Sequence, residues 1–482
     1  MILIEDGNIL GSWDNGFNFT PDIVRLKYAN GNTEFANFQL CDSGGCDAPS
    51  PTPTSTPTPM PTPTPTPTPI PVTKVVVIPG FGASWNKDAI MNCKTEGYEG
   101  DWTLNDQAAD VYNPLLTALT DAGWTTIPYY YDWRKQVTTH AAPLAGVIDA
   151  AIQQEGENVH LVGHSMGGLL GRAYLEAQAD ANKLDKLLTV GSPHKGNVLA
   201  YPAWSGGEIW EDNLRNKMLM TIALRLCDTI RPNNRETIRR VIPSVQNLLP
   251  VFDYLKDFRT GAVKPVIEMD AQNNWLPTTR FTPPFYGVTV GTLSGTGFET
   301  LHELVVKPPS RLDTRRGDWT DGKPLLRRTT TDGDGTVLLT SSEVDGATYL
   351  RVPQPHNGLV SSGQGINEIL NFLGMGATSV STASFVEPTS ALVIMGYPAD
   401  LWLTDPAGSM RKDNESLITI FNPRAGSYKL RFLPKGENAR LIIAQFLENG
   451  KVLWKEYPRS SKLPEISTFR FDPAYLKEDL LR

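Results

Sequence analysis

The sequence predicts an α/β fold, a mostly parallel sheet with helices on both faces, flanked by small β modules. Three observations predict it. Strand-like and helix-like segments alternate from about residue 73 to about residue 375, the pattern of a parallel sheet covered by helices. Within that stretch Gly163-His164-Ser165-Met166-Gly167-Gly168 joins a short apolar strand to a helix-forming segment. A Pro/Thr tract separates the stretch from the residues before it.

Taken in order, residues 1–49 read as a small β-rich module or the remnant of a larger one. Residues 23–29 and 33–40 flank Asn30-Gly31, a hairpin turn signal. Residues 50–72 are a Pro/Thr-rich linker. Proline at nearly every second position excludes helix and ladder, so the tract is extended at roughly 3 Å per residue. Such tracts separate modules outside cells. In the alternating stretch, residues 75–78 form a buried strand ending in Pro79-Gly80. Residues 111–122 and 142–155 read as helices, and 125–131, 158–162, 187–190, 287–290 and 348–352 as strands. Residues 197–283, rich in Arg, Leu and Trp, break this rhythm and read as an inserted helical cap. From 380 to 482 short strands return, divided by turns such as Pro406-Ala407-Gly408 and Asn449-Gly450. A β-sandwich-like accessory domain is expected there.

The chain has 482 residues, a net charge of −8 and no basic cluster. Nucleic acid is therefore not an expected partner. No apolar run approaches the length of a membrane span. Met1 to Ile4 is apolar, but Glu5 and Asp6 follow at once. No signal peptide is visible, and the chain reads as a fragment or as one with a misassigned start. The linker points to an extracellular or cell-surface location. Cys41 and Cys46 enclose a loop that a disulfide would close, and Cys93 and Cys227 fall in regions that could meet above the core. Four free thiols are the alternative. No C-x-x-C pair or His/Cys cluster suggests a metal site, and the chemistry calls for no cofactor.

That chemistry starts at Ser165. A serine flanked by glycines at a strand-to-helix junction sits on a strained turn, its hydroxyl clear of the backbone. A hydroxyl needs a base, normally histidine, and a carboxylate to orient it. In such a sheet the order is Ser, acid, His. Of six histidines, His140 and His160 precede the serine and His164 adjoins it. His194 directly follows a strand, and His302 precedes the best acid. His356, in the loop after residues 348–352, is the expected base. The acid belongs at a tight turn between them. Thr331-Asp332-Gly333-Asp334-Gly335 is such a turn, with Asp334 preferred and Asp332 the alternative. Two backbone donors complete an oxyanion hole, from Met166 after the nucleophile and from Phe81 in Pro79-Gly80-Phe81-Gly82.

The runs Ile78 to Trp85, Tyr131-Asp132-Trp133-Arg134, Gly163 to Gly168 and Gly333 to Val337, followed by His356, resemble the lecithin:cholesterol acyltransferase family, with lysosomal phospholipase A among its members. The resemblance spans residues 73–375. It implies an α/β-hydrolase fold, a mobile lid after the first strand, and a cap carrying the acyl-chain track. It implies transfer of a fatty acyl group from a lipid ester to Ser165, then to water or an alcohol. Animal members close their lid with a local disulfide, whereas the segment from Trp85 to Trp102 holds only Cys93. Trp85, Trp102, Trp204 and Trp210 would line lid and cap, facing lipid or packing in the core. The expected partner is a lipid ester at a membrane or micelle surface, with a surface polymer for the β modules. Two alternatives stand beside this reading: a serine esterase or peptidase of another substrate class, and a non-catalytic surface-binding protein.

Overall fold

The computed structural model describes residues 2–5, 8–12, 73–154, 156–178, 183–211, 213–227, 233–279, 281–375, 385–458 and 465–472. The expected hairpin of residues 23–40, the Cys41–Cys46 pair and the Pro/Thr linker lie outside these residues. Two units are distinguished, residues 1–68 and 69–482. In the first, Ile2–Glu5 pairs antiparallel with Asn8–Ser12.

In the second unit six strands form one sheet: β1 (Lys74–Ile78), β2 (Thr125–Pro128), β3 (Val159–His164), β4 (Leu184–Val190), β5 (Thr289–Gly295) and β6 (Thr348–Val352). Their spatial order is β2-β1-β3-β4-β5-β6, and every pairing is parallel. β1 and β3 are buried along their whole length. Central parallel strands are covered on both faces, so they read as continuous Val/Ile/Leu runs. The chain leaves β1 toward β2 and returns to β3 on β1's other side. The crevice at the carboxyl ends of β1 and β3 is therefore a topological switch point, where open α/β sheets bind ligands. Ile78 and His164, the residues that end these strands, open directly into the Pro79 to Gly82 loop and onto Ser165.

The segment after β1 is held down by Tyr131-Asp132-Trp133-Arg134. Tyr131 Oη donates to the Pro79 carbonyl at 3.0 Å, and Trp133 Nε1 to the Ser84 carbonyl at 3.1 Å. Arg134 donates to the Ala89 and Lys94 carbonyls at 3.0 and 2.8 Å. Its remaining donors form a two-point pair with Asp132, at 2.8 and 2.9 Å. Arg134 and Asp132 are both buried. The motif is thus a brace for residues 79–94.

The cap differs from the expected helical insertion at 197–283. Helices Ala200–Gly206, Leu214–Cys227, Asn234–Val241 and Ser244–Asn247 are present. From Leu255 the chain turns to strand. Leu255–Asp257 and Val263–Lys264 join Thr300–Lys307 and Lys323–Thr330 in a second sheet. These first two strands are short and carry no alternation, and β5 intervenes before their partner, so local sequence does not announce them. Cys93 of the lid is disulfide-bonded to Cys227, the last residue of the helix Leu214–Cys227. The lid is therefore tied to the cap, where the animal relatives were expected to close it on itself. A loop this long gains about 5 kcal/mol from such a link in the chain-entropy account.

Residues 391–471 form two four-stranded antiparallel sheets. Alternate residues of Gly426–Pro434 are buried, as one covered face requires. The strands Met410–Lys412, Val452–Pro458 and Ile466–Phe471 escaped the sequence reading. This sandwich packs on the catalytic stretch. Trp85 Nε1 donates to the Glu415 carbonyl at 3.1 Å, Lys87 pairs with Glu415 at 2.9 Å, and Lys217 of the cap reaches the Gly450 carbonyl at 3.2 Å.

Removing one partner of a buried ion pair strands the other charge. Arg134→Ala is accordingly expected to destabilise the protein by about 3–5 kcal/mol, as a lower midpoint in urea unfolding.

Candidate active site

Ser165 occupies the turn between β3 and the helix Met166–Ala177, with φ 54° and ψ −124°. That is a left-handed φ on a non-glycine residue, which costs roughly 1–3 kcal/mol and persists only where the surroundings impose it. Two glycines let the surroundings do so. A Cβ on Gly163 would lie 2.6 Å from the Gly167 backbone, and one on Gly167 would lie 2.4 Å from the Ile78 carbonyl oxygen. The Ser165 N–H is held by the Val190 carbonyl at 2.7 Å.

His356 Nδ1 and Asp334 Oδ2 are 2.7 Å apart, both nearly inaccessible to solvent. The other Asp334 oxygen accepts from the Thr336 and Val337 N–H groups at 2.9 and 2.6 Å. The His356 N–H in turn donates to the Asp334 carbonyl at 2.9 Å. A carboxylate so held accepts the Nδ1 proton and leaves Nε2 as the basic nitrogen. Asp332 is exposed instead. Burial depresses the His356 imidazolium, but the Asp334 charge and hydrogen bond outweigh it, and the balance is upward from the ordinary value.

Among the described residues no protein acceptor takes the Phe81 N–H. The Met166 N–H is the first of its helix and lacks an intrahelical partner. Neither N–H is thus committed to a protein acceptor among the described residues. Phe81 and Ser165 share a small cavity of about 40 Å³, lined by Leu199, Met220, Val245 and Leu248 with Asn197 and Glu211 among the polar residues. Such apolar walls suit an alkyl chain, at about 0.8 kcal/mol per buried methylene.

The remaining histidines fall elsewhere. His194 is buried, stacked on Phe281 and 3.0 Å from Thr189 Oγ1. His302 lies on the strand Thr300–Lys307 of the second sheet. His164 is fully buried, and burial holds its imidazole well below the ordinary range. Its Nε2 lies 3.1 Å from the His356 carbonyl and its Nδ1 2.7 Å from Tyr112 Oη. A carbonyl only accepts, so Nε2 carries the proton and Nδ1 accepts from Tyr112. Tyr112 Oη itself accepts from the Gly80 N–H at 2.7 Å. One hydrogen-bonded chain thus joins the Pro79 to Gly82 loop to the loop of His356.

Sequence reasoning missed Glu387. Its Oε1 accepts from Asn357 Nδ2 at 2.5 Å and from Asn213 Nδ2 at 3.1 Å. It therefore links the residue after His356 to the entry of the cap helix. Burial raises its carboxyl above the usual range. No local signal marks it, because its partners lie 30 and 174 residues away. Of the four tryptophans expected at lid and cap, Trp85 and Trp204 are buried in the core and Trp102 and Trp210 are half-buried.

Residues 95–263 match the family model described as lecithin:cholesterol acyltransferase. The phosphatidylcholine-sterol acyltransferase of Oryctolagus cuniculus is 25% identical over 341 residues, 65% of this chain and 70% of that protein. Its Homo sapiens counterpart is 26% identical over 295 residues, 58% of this chain and 61% of that protein. The catalytic core is lecithin:cholesterol acyltransferase-like. With this likeness the chain is an enzyme of the serine-hydrolase type. Among solved structures, the mature Bacillus licheniformis lipase BlEst2 aligns at TM-score 0.35 and 16% identity, covering 64% of this chain and 96% of that one. Phospholipase PlaB from Legionella pneumophila aligns at TM-score 0.33 and 11% identity, covering 80% and 90%. The fold assignment rests on the parallel sheet and its order.

Two outcomes are expected. A general base must be neutral, and the His356 pKa is raised, so activity should fall on acidification with a midpoint above about 6.5. The pH profile of kcat/KM for a soluble ester reads this directly. Tyr112→Phe breaks the chain at both bonds of its hydroxyl. It should lower kcat about tenfold with little change in KM, measured by steady-state kinetics.

Proposed function

We propose that this enzyme transfers acyl groups from lipid esters through an acyl-serine intermediate. The observation that carries the reading is the Asp334–His356 pair beside the strained Ser165 turn, opening on an apolar cavity. His356 Nε2 takes the Ser165 Oγ proton as that oxygen attacks the ester carbonyl. The oxyanion receives the Phe81 and Met166 N–H groups. As the tetrahedral species collapses, His356 gives its proton to the departing alcohol. Water or a second alcohol then enters and gives its proton to His356 as it attacks the acyl carbonyl; His356 returns that proton to the departing Ser165 Oγ, and the acyl group leaves as acid or new ester. Asp334 fixes the His356 tautomer and stabilises its cation.

The names of the curated relatives, phosphatidylcholine-sterol acyltransferases, support a lipid ester as substrate. The aliphatic residues beside Ser165 suit the apolar start of an acyl chain. No helix among the described residues is long and apolar enough to cross a membrane. The Cys93–Cys227 disulfide supports a location outside the reducing cytosol, in keeping with an extracellular or cell-surface protein.

Ser165→Ala is expected to lower p-nitrophenyl ester turnover by roughly a thousandfold or more, with the fold intact by circular dichroism. Asp334→Asn should fall comparably and Asp332→Asn should not. Turnover retained by Ser165→Ala would overturn the mechanism. A preference for short over long acyl esters would move the substrate class away from lipids. Mass spectrometry of products from mixed phospholipid and neutral-lipid vesicles, with and without added alcohol, separates hydrolysis from acyl transfer.

A further inference from the structure

Lipid esters are presented at an interface, and the question is which face of the enzyme meets it. Among the described residues twelve large apolar side chains are exposed, and six of these fall within residues 255–268 and 300–330. These segments build the small second sheet and the loop and short helix beside it. Phe258, Val263, Leu312 and Leu326 are each more than half exposed there, and Ile267 is 82% exposed. So concentrated a set is not the scatter of single apolar residues that any surface carries.

The register places Val263 and Leu326 in one row, with Lys256 and the buried Val305 between them. Val263 pairs with Lys256, Lys256 with Val305, and Val305 with Leu326, so one row across the sheet shares a face. Lys323–Thr330 is an edge strand. Edge strands are ordinarily shielded or kept polar, because an apolar one invites association. This one has Leu325, Leu326, Arg327 and Arg328 exposed in succession.

Charge indicates what the face meets. The two segments hold ten Lys or Arg against six Asp or Glu, in a chain of net charge −8. Among the described residues Arg259, Arg311, Arg315 and Arg316 stand within ion-pair distance of no carboxylate. Exposed leucine and phenylalanine set among cations are complementary to a negatively charged lipid surface.

The sheet also adjoins the site, through the face opposite Leu326, since Arg327 pairs with the buried Leu304. The Arg327 guanidinium lies 6.0 Å from the Trp210 ring centroid, and the next residue, Glu211, lines the Ser165 cavity. The edge strand itself ends at Thr330, four residues before Asp334. We propose that the exposed, basic edge of this second sheet docks the enzyme on an anionic lipid surface and so brings the neighbouring cavity to its substrate. The inference rests on the lipid-ester reading.

The test uses the full-length protein with phosphatidylcholine vesicles, with and without phosphatidylglycerol. Co-sedimentation measures partitioning, and a water-soluble short-chain ester measures the catalytic centre. The wild type should prefer the anionic vesicles, and salt should weaken that preference. Phe258→Glu with Leu326→Glu should lower partitioning about tenfold or more while soluble-ester turnover stays near wild type. Arg311→Glu with Arg315→Glu should remove the preference for phosphatidylglycerol. Wild-type partitioning by the Phe258→Glu, Leu326→Glu variant overturns the proposal. So does a wild-type dimer that Leu326→Glu dissociates, since a second copy would then own the face. A wild type that turns over soluble ester but ignores vesicles loses the docking surface and keeps the hydrolase reading. One that binds vesicles but hydrolyses no ester does the reverse.

Discussion

The turn at Ser165 is the constraint on which the rest depends. A non-glycine residue at φ 54° holds only if its neighbours leave no alternative. Here β3 and the helix Met166–Ala177 fix its two ends, and the Ile78 carbonyl crowds Gly167 from β1. The same closeness brings Phe81 and Ser165 to one cavity, with Met166 next in the chain. Strand order makes this possible, because β1 and β3 are adjacent and parallel and deliver their loops to a common crevice.

Around that crevice the parts are bonded to one another rather than merely stacked. Tyr131 to Arg134 pins residues 79–94 from below. The Cys93–Cys227 bond ties the lid to the cap. Arg215 at the start of the cap helix pairs with Asp110 at 2.6 Å and lies 4.1 Å from the Phe421 ring of the sandwich. Glu387, just before that sandwich, reaches both the cap and the residue after His356. The C-terminal sheets are thus part of the frame that positions the catalytic loops. In effective terms each bond is modest, and their number is what makes the arrangement stiff.

Much of this was legible in the chain. Hydrophobic runs alternating with helical periods announced the parallel sheet, since strands buried on both faces need uninterrupted apolar residues. Ser165 was legible from its glycines, and His356 and Asp334 from their order and their loops after it. Less legible were strands that pair far away. Leu255–Asp257 is three residues long and finds its partner at residue 304, so no local pattern betrays it. The Tyr131 to Arg134 run marked a family resemblance in the sequence, but its work as a brace depends on carbonyls of residues 79, 84, 89 and 94.

By itself the sequence determined the fold class and pointed to Ser165 as the candidate nucleophile with a histidine and a carboxylate as its expected partners. Those properties follow from local periodicity and from residues whose chemistry has few substitutes. Only the tertiary structure decided which carboxylate meets His356, that Cys93 bonds Cys227, that Trp85 and Trp204 are core, and that Glu387 joins cap to catalytic loop. Each of these is a distance between residues remote in the chain. Such distances are set by packing of whole elements, and no short stretch of sequence contains them.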